Sequence, residues 1–203
     1  MLSTMQEVPF SVARILEFGI TAHANTKCTT WRASGAEETT FSEIGARAAA
    51  FAHALHNDLG IDGDQRVSTL LYNCAEHIEV MFAVAAKGAV FNPLNVQLMA
   101  DQIAYVVNHS ESEVVVADPR LAEKLGTILQ DCPTVRAVAF TGIEPLDDAA
   151  SHLPDSVKVY SYEQLLDGRP TSYPWPELPE NTAAALVYST ATTGAPKLSL
   201  IHI

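Results

Sequence analysis

The sequence has 203 residues, 48% of them hydrophobic and 18% charged, which suits a globular chain with a substantial core and excludes a disordered one. Twelve Lys and Arg stand against 24 Asp and Glu, a formal charge of −12 that argues against a nucleic-acid footprint or a polybasic membrane anchor. No apolar run reaches about 18 residues, so no integral membrane segment is expected.

The opening residues, with Glu7 and Pro9 and no cationic start before an apolar core, do not make a signal peptide. Val12, Ile15, Leu16 and Ile20 recur at helical spacing and predict a helix over residues 10–23, with Pro9 in its tolerated first turn. Two short strands follow, 26–32 and 38–40, with Ser34-Gly35 as the turn between them. Thr40-Phe41-Ser42-Glu43 is a capping box, Thr40 as N-cap and Glu43 three residues on. The helix it opens carries Phe41, Ile44, Ala48, Phe51, Leu55 and Leu59 on one face and ends at Gly60. Val67, Leu70 and Leu71 mark a strand over 65–72. Asn73 and Glu76 repeat the capping-box spacing and open a helix ending at Gly88, with Ile78, Met81, Phe82 and Ala85 as its buried stripe. A short strand over 89–92 meets Pro93, and a helix over 100–109 has Ile103, Val106 and Val107 inside. The β-branched run at 114–117 is the pattern of a strand covered on both faces. A helix over 121–130, strands over 135–140 and 157–160 and a short helix over 162–166 complete the series. Residues 168–180, with Pro170, Pro174, Pro176 and Pro179, form an extended connector to an apolar strand at 183–187.

Strands alternating with helices predict an α/β fold with a mostly parallel sheet flanked by helices. Cys28, Cys74 and Cys132 are far apart, odd in number and without a C-x-x-C, as expected of reduced thiols in a cytoplasmic protein. His53 and His56 share a helix face but have no accompanying carboxylate or cysteine pattern, so no metal site is expected. In open α/β sheets ligands collect at the carboxyl ends of strands. The stretch 188–197, Tyr-Ser-Thr-Ala-Thr-Thr-Gly-Ala-Pro-Lys, follows such a strand. Its backbone N–H groups, the hydroxyls of Ser189, Thr190, Thr192 and Thr193, and the Lys197 ammonium can converge on an anion. It is not a Walker A loop, since only Gly194 and Lys197 fit that pattern. By composition alone such a cluster after a strand is usually an ordinary polar loop.

Order adds what composition lacks. Thr40-Phe41-Ser42-Glu43-Ile44, Asp64-Gln65-Arg66-Val67, Asn73-Cys74-Ala75-Glu76, Gly88-Ala89-Val90-Phe91-Asn92-Pro93-Leu94-Asn95 and Tyr105-Val106-Val107-Asn108-His109-Ser110 precede the loop in turn. Together they resemble the adenylate-forming superfamily of AMP-forming acyl-CoA synthetases, luciferases and peptide-synthetase adenylation domains. The Asn-Pro-Leu-Asn segment, and Gly168-Arg169-Pro170 followed by Trp175-Pro176-Glu177-Leu178, bring the chain nearest to bacterial medium- or long-chain fatty-acyl-CoA synthetases. The resemblance covers residues 8–197.

The resemblance implies that residues 1–197 are the N-terminal portion of the large adenylate-forming domain, truncated within its sheet. A fatty carboxylate would attack the α-phosphorus of Mg²⁺-bound ATP to give acyl-adenylate and pyrophosphate, and the thiolate of coenzyme A would then displace AMP. Ser189, Thr190, Thr192, Thr193, Gly194 and Lys197 would hold the β- and γ-phosphates, so that pyrophosphate leaves aligned and neutralised. No catalytic residue or metal ligand is assigned to this chain, which by itself is expected to be inactive and, with apolar sheet surface uncovered, poorly soluble. A homodimer is compatible with the full-length parent. A fatty-acyl-AMP ligase, an aryl-CoA ligase and a non-catalytic nucleotide-binding α/β module are the alternative readings.

Two departures stand out. Ala191 replaces the family's usual glycine, costing roughly 1 kcal/mol if the backbone there needs a positive φ. From Leu198 the family pattern fails, and His202 stands one place too early to take the family histidine's role. Leu-Ser-Leu-Ile-His-Ile is also the translation of CTG TCT CTT ATA CAC ATC, the transposon-end adapter of DNA library preparation. Residues 198–203 are therefore expected to be a non-native tail read through from adapter. Sequencing the source DNA past the Lys197 codon checks this, and a native reading frame running through Ile203 into family-like sequence would refute it.

Overall fold

A computed structural model of the chain describes residues 4, 8–142, 146–189 and 197–202. Helix α1 (Val12–Ala22) buries Ala13 and Leu16. Strands β1 (Lys27–Arg32) and β2 (Gly35–Thr40) then form an antiparallel hairpin separate from the main sheet. Its reversal falls on Ala33 and Ser34, one place earlier than expected. Gly35 already opens β2, at φ 118°, a conformation that L side chains rarely adopt. Helix α2 (Phe41–Asn57) starts at the predicted capping box: the Glu43 amide donates to Thr40 Oγ1 at 3.2 Å, and the Thr40 amide donates to Glu43 Oε2 at 2.7 Å.

The remaining elements run β3 (Arg66–Leu70), α3 (Ala75–Lys87), β4 (Val90–Pro93), α4 (Ala100–His109), β5 (Ser112–Ala117), a 3-10 turn at Pro119–Leu121, α5 (Ala122–Leu129), β6 (Ala137–Phe140), α6 (Asp147–Ser151), β7 (Lys158–Ser161), α7 (Tyr162–Leu166), β8 (Ala183–Ser189) and β9 (Lys197–His202). The strands form one sheet in the order β7-β6-β5-β3-β4-β8-β9, parallel throughout except for β8 with β9. The expected α/β architecture is present. Helices α2, α3 and α7 cover one face, packing on Val67, Phe91, Val114, Val116, Ala137 and Ala139. Helices α4 and α5 cover the other, over Leu70, Val115, Ala117, Val138 and Phe140. The alternation of Val114, Val116 with Val115, Ala117 between these clusters is why β5 reads as an unbroken apolar run.

Helix α3 departs from the sequence expectation at its start. Cys74, not Asn73, is the N-cap residue, and its side chain makes no capping bond. The Ala75 amide donates instead to Thr30 Oγ1 of β1, at 3.0 Å. Glu76 turns to Arg32, whose Nη2 donates to Oε1 at 2.6 Å. A charge-assisted bond to a guanidinium outweighs a bond to a backbone amide, so a residue brought in by the hairpin takes Glu76 from its local partner. Ile78 and Met81 are only half-buried, while Val80, Phe82, Ala83, Val84 and Ala86 are buried. Gly88 ends the helix at φ 95° as expected. Two elements were not foreseen, α6 and β9. The first, with five residues, is too short to show a period, and the second pairs along β8 with all six residues exposed.

The layer of α2, α3 and α7 is tied by charge as well as by apolar contact. Arg47 Nε donates to Glu79 Oε1 at 2.8 Å, Arg47 Nη2 to Glu163 Oε1 at 2.7 Å, and Tyr162 Oη to Glu79 Oε2 at 2.9 Å. Burial pushes the Glu79 carboxyl above its ordinary range, and Arg47 and Tyr162 draw it part of the way back. Glu79 is 1% exposed, so removing its cation leaves a buried charge poorly matched. Arg47→Met is expected to cost about 3 kcal/mol, read as a fall in the urea midpoint, and the double change with Glu79→Met to restore most of it. Equal midpoints for wild type and Arg47→Met would contradict this.

Candidate functional site

Strand β8 enters the sheet beside β4, in parallel, with Ala185 opposite Phe91. Its last residue, Ser189, therefore leaves at the carboxyl end of a parallel sheet, where the sequence placed the phosphate loop. Of the predicted contacts, Ser189 and Lys197 are described; Thr190, Thr192, Thr193 and Gly194, together with Ala191, lie outside the described residues. The two that are described come together. Ser189 and Lys197 are register partners where β8 meets β9, and Ser189 Oγ lies 3.5 Å from the Lys197 carbonyl. Both are exposed, so their hydroxyl and ammonium can be reached by an anion from solvent.

Tyr188, just before this pair, makes the contacts that sequence reading did not find. Its Oη is 2.8 Å from His109 Nδ1 at the end of α4, with the two rings 5.8 Å apart and edge-on at 87°. Tyr105, one turn earlier, stacks on His109 at 5.6 Å and 23°. Burial raises the Tyr188 phenol above its ordinary range, so it remains a protonated hydroxyl at neutral pH.

Two other places lie at strand ends or enclose a cavity. The sheet order turns back between β3 and β5, where doubly wound folds hold ligands. There Arg120 lies over the Tyr72 ring at 4.9 Å, and Asp118 Oδ1 accepts from the Arg120 amide and Nε, each at 2.9 Å. Burial works to raise the Asp118 carboxyl, but the bonds from Arg120 prevail and hold it below its ordinary value. This ion pair follows β5, which β3 and β4 separate from β8 in the sheet order.

The second is a mainly apolar cavity of about 360 Å³, lined by Cys28, Thr30, Cys74, His77, Met81 and Phe91 among others. Its thiol at Cys74 is pushed up to about 12 by burial, with Glu76 adding to the effect, so it is no nucleophile at neutral pH. His77 Nε2 is 2.8 Å from Thr69 Oγ1, and burial holds the imidazole below its ordinary pKa. The lining comes from β1, α3 and β4, and only the Ile78/Met81 stripe hinted at it in sequence. Among the described residues no group of three or more His, Cys, Asp or Glu is disposed to hold a metal ion, and no helix is long and apolar enough to cross a membrane.

Comparison with known proteins agrees with this architecture. The family model described as AMP-binding enzyme matches residues 20–202, and the chain belongs to that family. A 3-methylmercaptopropionyl-CoA ligase from Ruegeria lacuscaerulensis is 28% identical over 97% of the chain and 36% of its own length. A medium-chain-fatty-acid–CoA ligase from Ectopseudomonas oleovorans is 29% identical over 97% of the chain and 35% of its own. A long-chain-fatty-acid–CoA ligase from Thermus thermophilus is 32% identical over 78% and 27% respectively. The chain thus spans about a third of the length of these relatives. An anthranilate CoA ligase solved with anthranoyl-AMP superposes on all of the chain and 36% of its own at a TM-score of 0.82 and 20% identity, a likeness of fold.

The His77 environment yields a pH dependence. In the unfolded chain the imidazole takes up a proton near its ordinary value of about 6.5, whereas folded His77 resists it until lower pH. The unfolded state therefore holds more protons in this window, and stability rises with pH and falls as pH drops through about 6.5. The urea midpoint should fall between about pH 7.5 and 5.5, and His77→Gln should flatten that fall. An unaltered slope in the variant would count against neutral, buried His77.

Proposed function

We propose that the chain is the amino-terminal part of an ATP-dependent ligase that activates a carboxylic acid as its acyl-adenylate and transfers the acyl group to coenzyme A. The observation that carries the proposal is the pairing of Ser189 with Lys197 at the carboxyl end of β8, in a chain of the AMP-binding family. Fatty acids of medium or long chain are the proposed substrates, since relatives carrying those names align with most of the chain.

In this proposal Ser189, Thr190, Thr192, Thr193, Gly194 and Lys197 bind the β- and γ-phosphates of Mg²⁺-bound ATP. Lys197 supplies a positive charge and the hydroxyls supply donors, with Ser189 and Lys197 facing each other on paired strands. Their effect on the reaction is to orient and neutralise the departing pyrophosphate. ATP supplies the electrophilic phosphorus; the acid and the thiol would be aligned by parts of the parent beyond this third of its length. The chain alone is accordingly a phosphate-binding fragment with no ligase activity.

Calorimetric titration with Mg²⁺–ATP and with magnesium pyrophosphate tests this. Both are expected to bind the chain, roughly tenfold more weakly after Lys197→Ala, with Lys197→Arg retaining most of the affinity. Absence of binding, or no change on losing Lys197, would refute the phosphate assignment. ATP–pyrophosphate exchange with a fatty acid by the 203-residue chain alone would refute its inactivity.

A further inference from the structure

We propose that His109 is a positioning residue for the phosphate-binding stem: through Tyr188 it fixes where Ser189 and Lys197 stand relative to the body of the sheet. The inference rests on the reading of Ser189 and Lys197 as phosphate contacts, and it adds a residue from another element that touches neither phosphate nor acid.

The need for an anchor follows from the pairing of β8. Among the described residues its register with β4 is a single pair, Phe91 with Ala185. Beyond Ala185 the strand is paired through Leu186, Val187, Tyr188 and Ser189 to β9 alone. Strand β9 is exposed along its length. Val187 and Ser189 are exposed too, whereas Tyr188 packs against the core cluster that contains Val115 and Val138. Tyr188 is thus the last side chain before the stem that reaches back to the body of the protein, and its hydroxyl ends on His109.

His109 can serve as the fixed post because α4 is held firmly at this end. Arg66 Nε donates to the Ser110 carbonyl at 2.7 Å, and Asn108 Nδ2 to the Asp131 carbonyl at 2.7 Å. The buried Asn92 side chain donates to Ser110 Oγ at 3.0 Å and to Ser68 Oγ at 2.9 Å, joining the helix end to β3 and β4. Tyr105 covers the other side of the imidazole. The phenol and the imidazole can bond in either histidine tautomer, so the anchor does not depend on which nitrogen carries the proton. A single bond of this kind changes populations severalfold, which suffices to hold one stem position in preference to others.

The test compares Tyr188→Phe, His109→Leu and His109→Gln with the wild type in the 203-residue chain. Two readouts are taken, magnesium pyrophosphate affinity by calorimetry and amide hydrogen exchange at Val187 and Ser189. Tyr188→Phe and His109→Leu are expected to weaken pyrophosphate binding roughly 3- to 10-fold and to speed exchange at Val187 and Ser189 by a similar factor, with β3 and β5 amides unaltered. His109→Gln, whose amide can donate to or accept from the phenol, is expected to stay within about twofold of wild type. Wild-type binding with no loss in Tyr188→Phe overturns the positioning role and leaves the phosphate assignment standing. If wild type does not bind pyrophosphate, the phosphate assignment itself falls. Exchange then decides the anchor: faster exchange in both Tyr188→Phe and His109→Leu supports it, and unaltered exchange overturns it.

Discussion

The candidate site depends on one parallel pairing, that of β8 with β4 at Phe91 and Ala185. It brings a strand that lies more than ninety residues downstream into a sheet whose strands β3 to β7 are complete by Ser161. The direction of β8 follows from it, and with direction comes the edge at which Ser189 emerges. Parallel strands need long right-handed crossovers, and the extended, proline-bearing connector after α7 supplies the length to cross from β7 at one end of the sheet to β4 near the other. Lys87 and His53 hold that connector in passing, through Tyr173 Oη at 3.1 Å and the Ser172 carbonyl at 2.9 Å.

Around this pairing the chain is built for rigidity on both faces of the sheet. On one side Arg47, Glu79, Tyr162 and Glu163 join three helices through charge-assisted bonds. On the other, Asn92 in β4 binds three serine hydroxyls, from the end of α4, the middle of β3 and the start of β5. The strand that receives β8 is therefore itself pinned. On the hairpin that β8 forms with β9, by contrast, Val187, Leu198, Leu200 and Ile201 are all in contact with solvent. The stem is the less supported part of the sheet, and this is where a side-chain anchor has most effect.

What could be read in the sequence follows from how far apart the interacting residues lie. The capping box at Thr40 and Glu43, the helix over Ala100–His109 and the β-branched core of β5 are set by neighbours within a turn or by alternation, and all three are found as expected. The cap at Asn73 fails because its rival, Arg32, is more than forty residues away and carries a full charge. The same distance hides the cavity beside His77 and the contact of Tyr188 with His109, which spans 79 residues. The loop at 188–197 was legible as polar chemistry after a strand, and its meaning came from the order of segments upstream. The pairing of Ser189 with Lys197 needed the fold.

The central claim is that Lys197 meets the phosphates of ATP. Its ammonium is exposed, as are those of Lys27 and Lys158, so amine acetylation should label all three in the free chain. Competitive labelling with and without Mg²⁺–ATP, followed by peptide mass spectrometry, reads each lysine separately. Selective protection of Lys197 by the nucleotide, with Lys27 and Lys158 unaltered, is the result predicted; equal labelling of Lys197 in both conditions would contradict it.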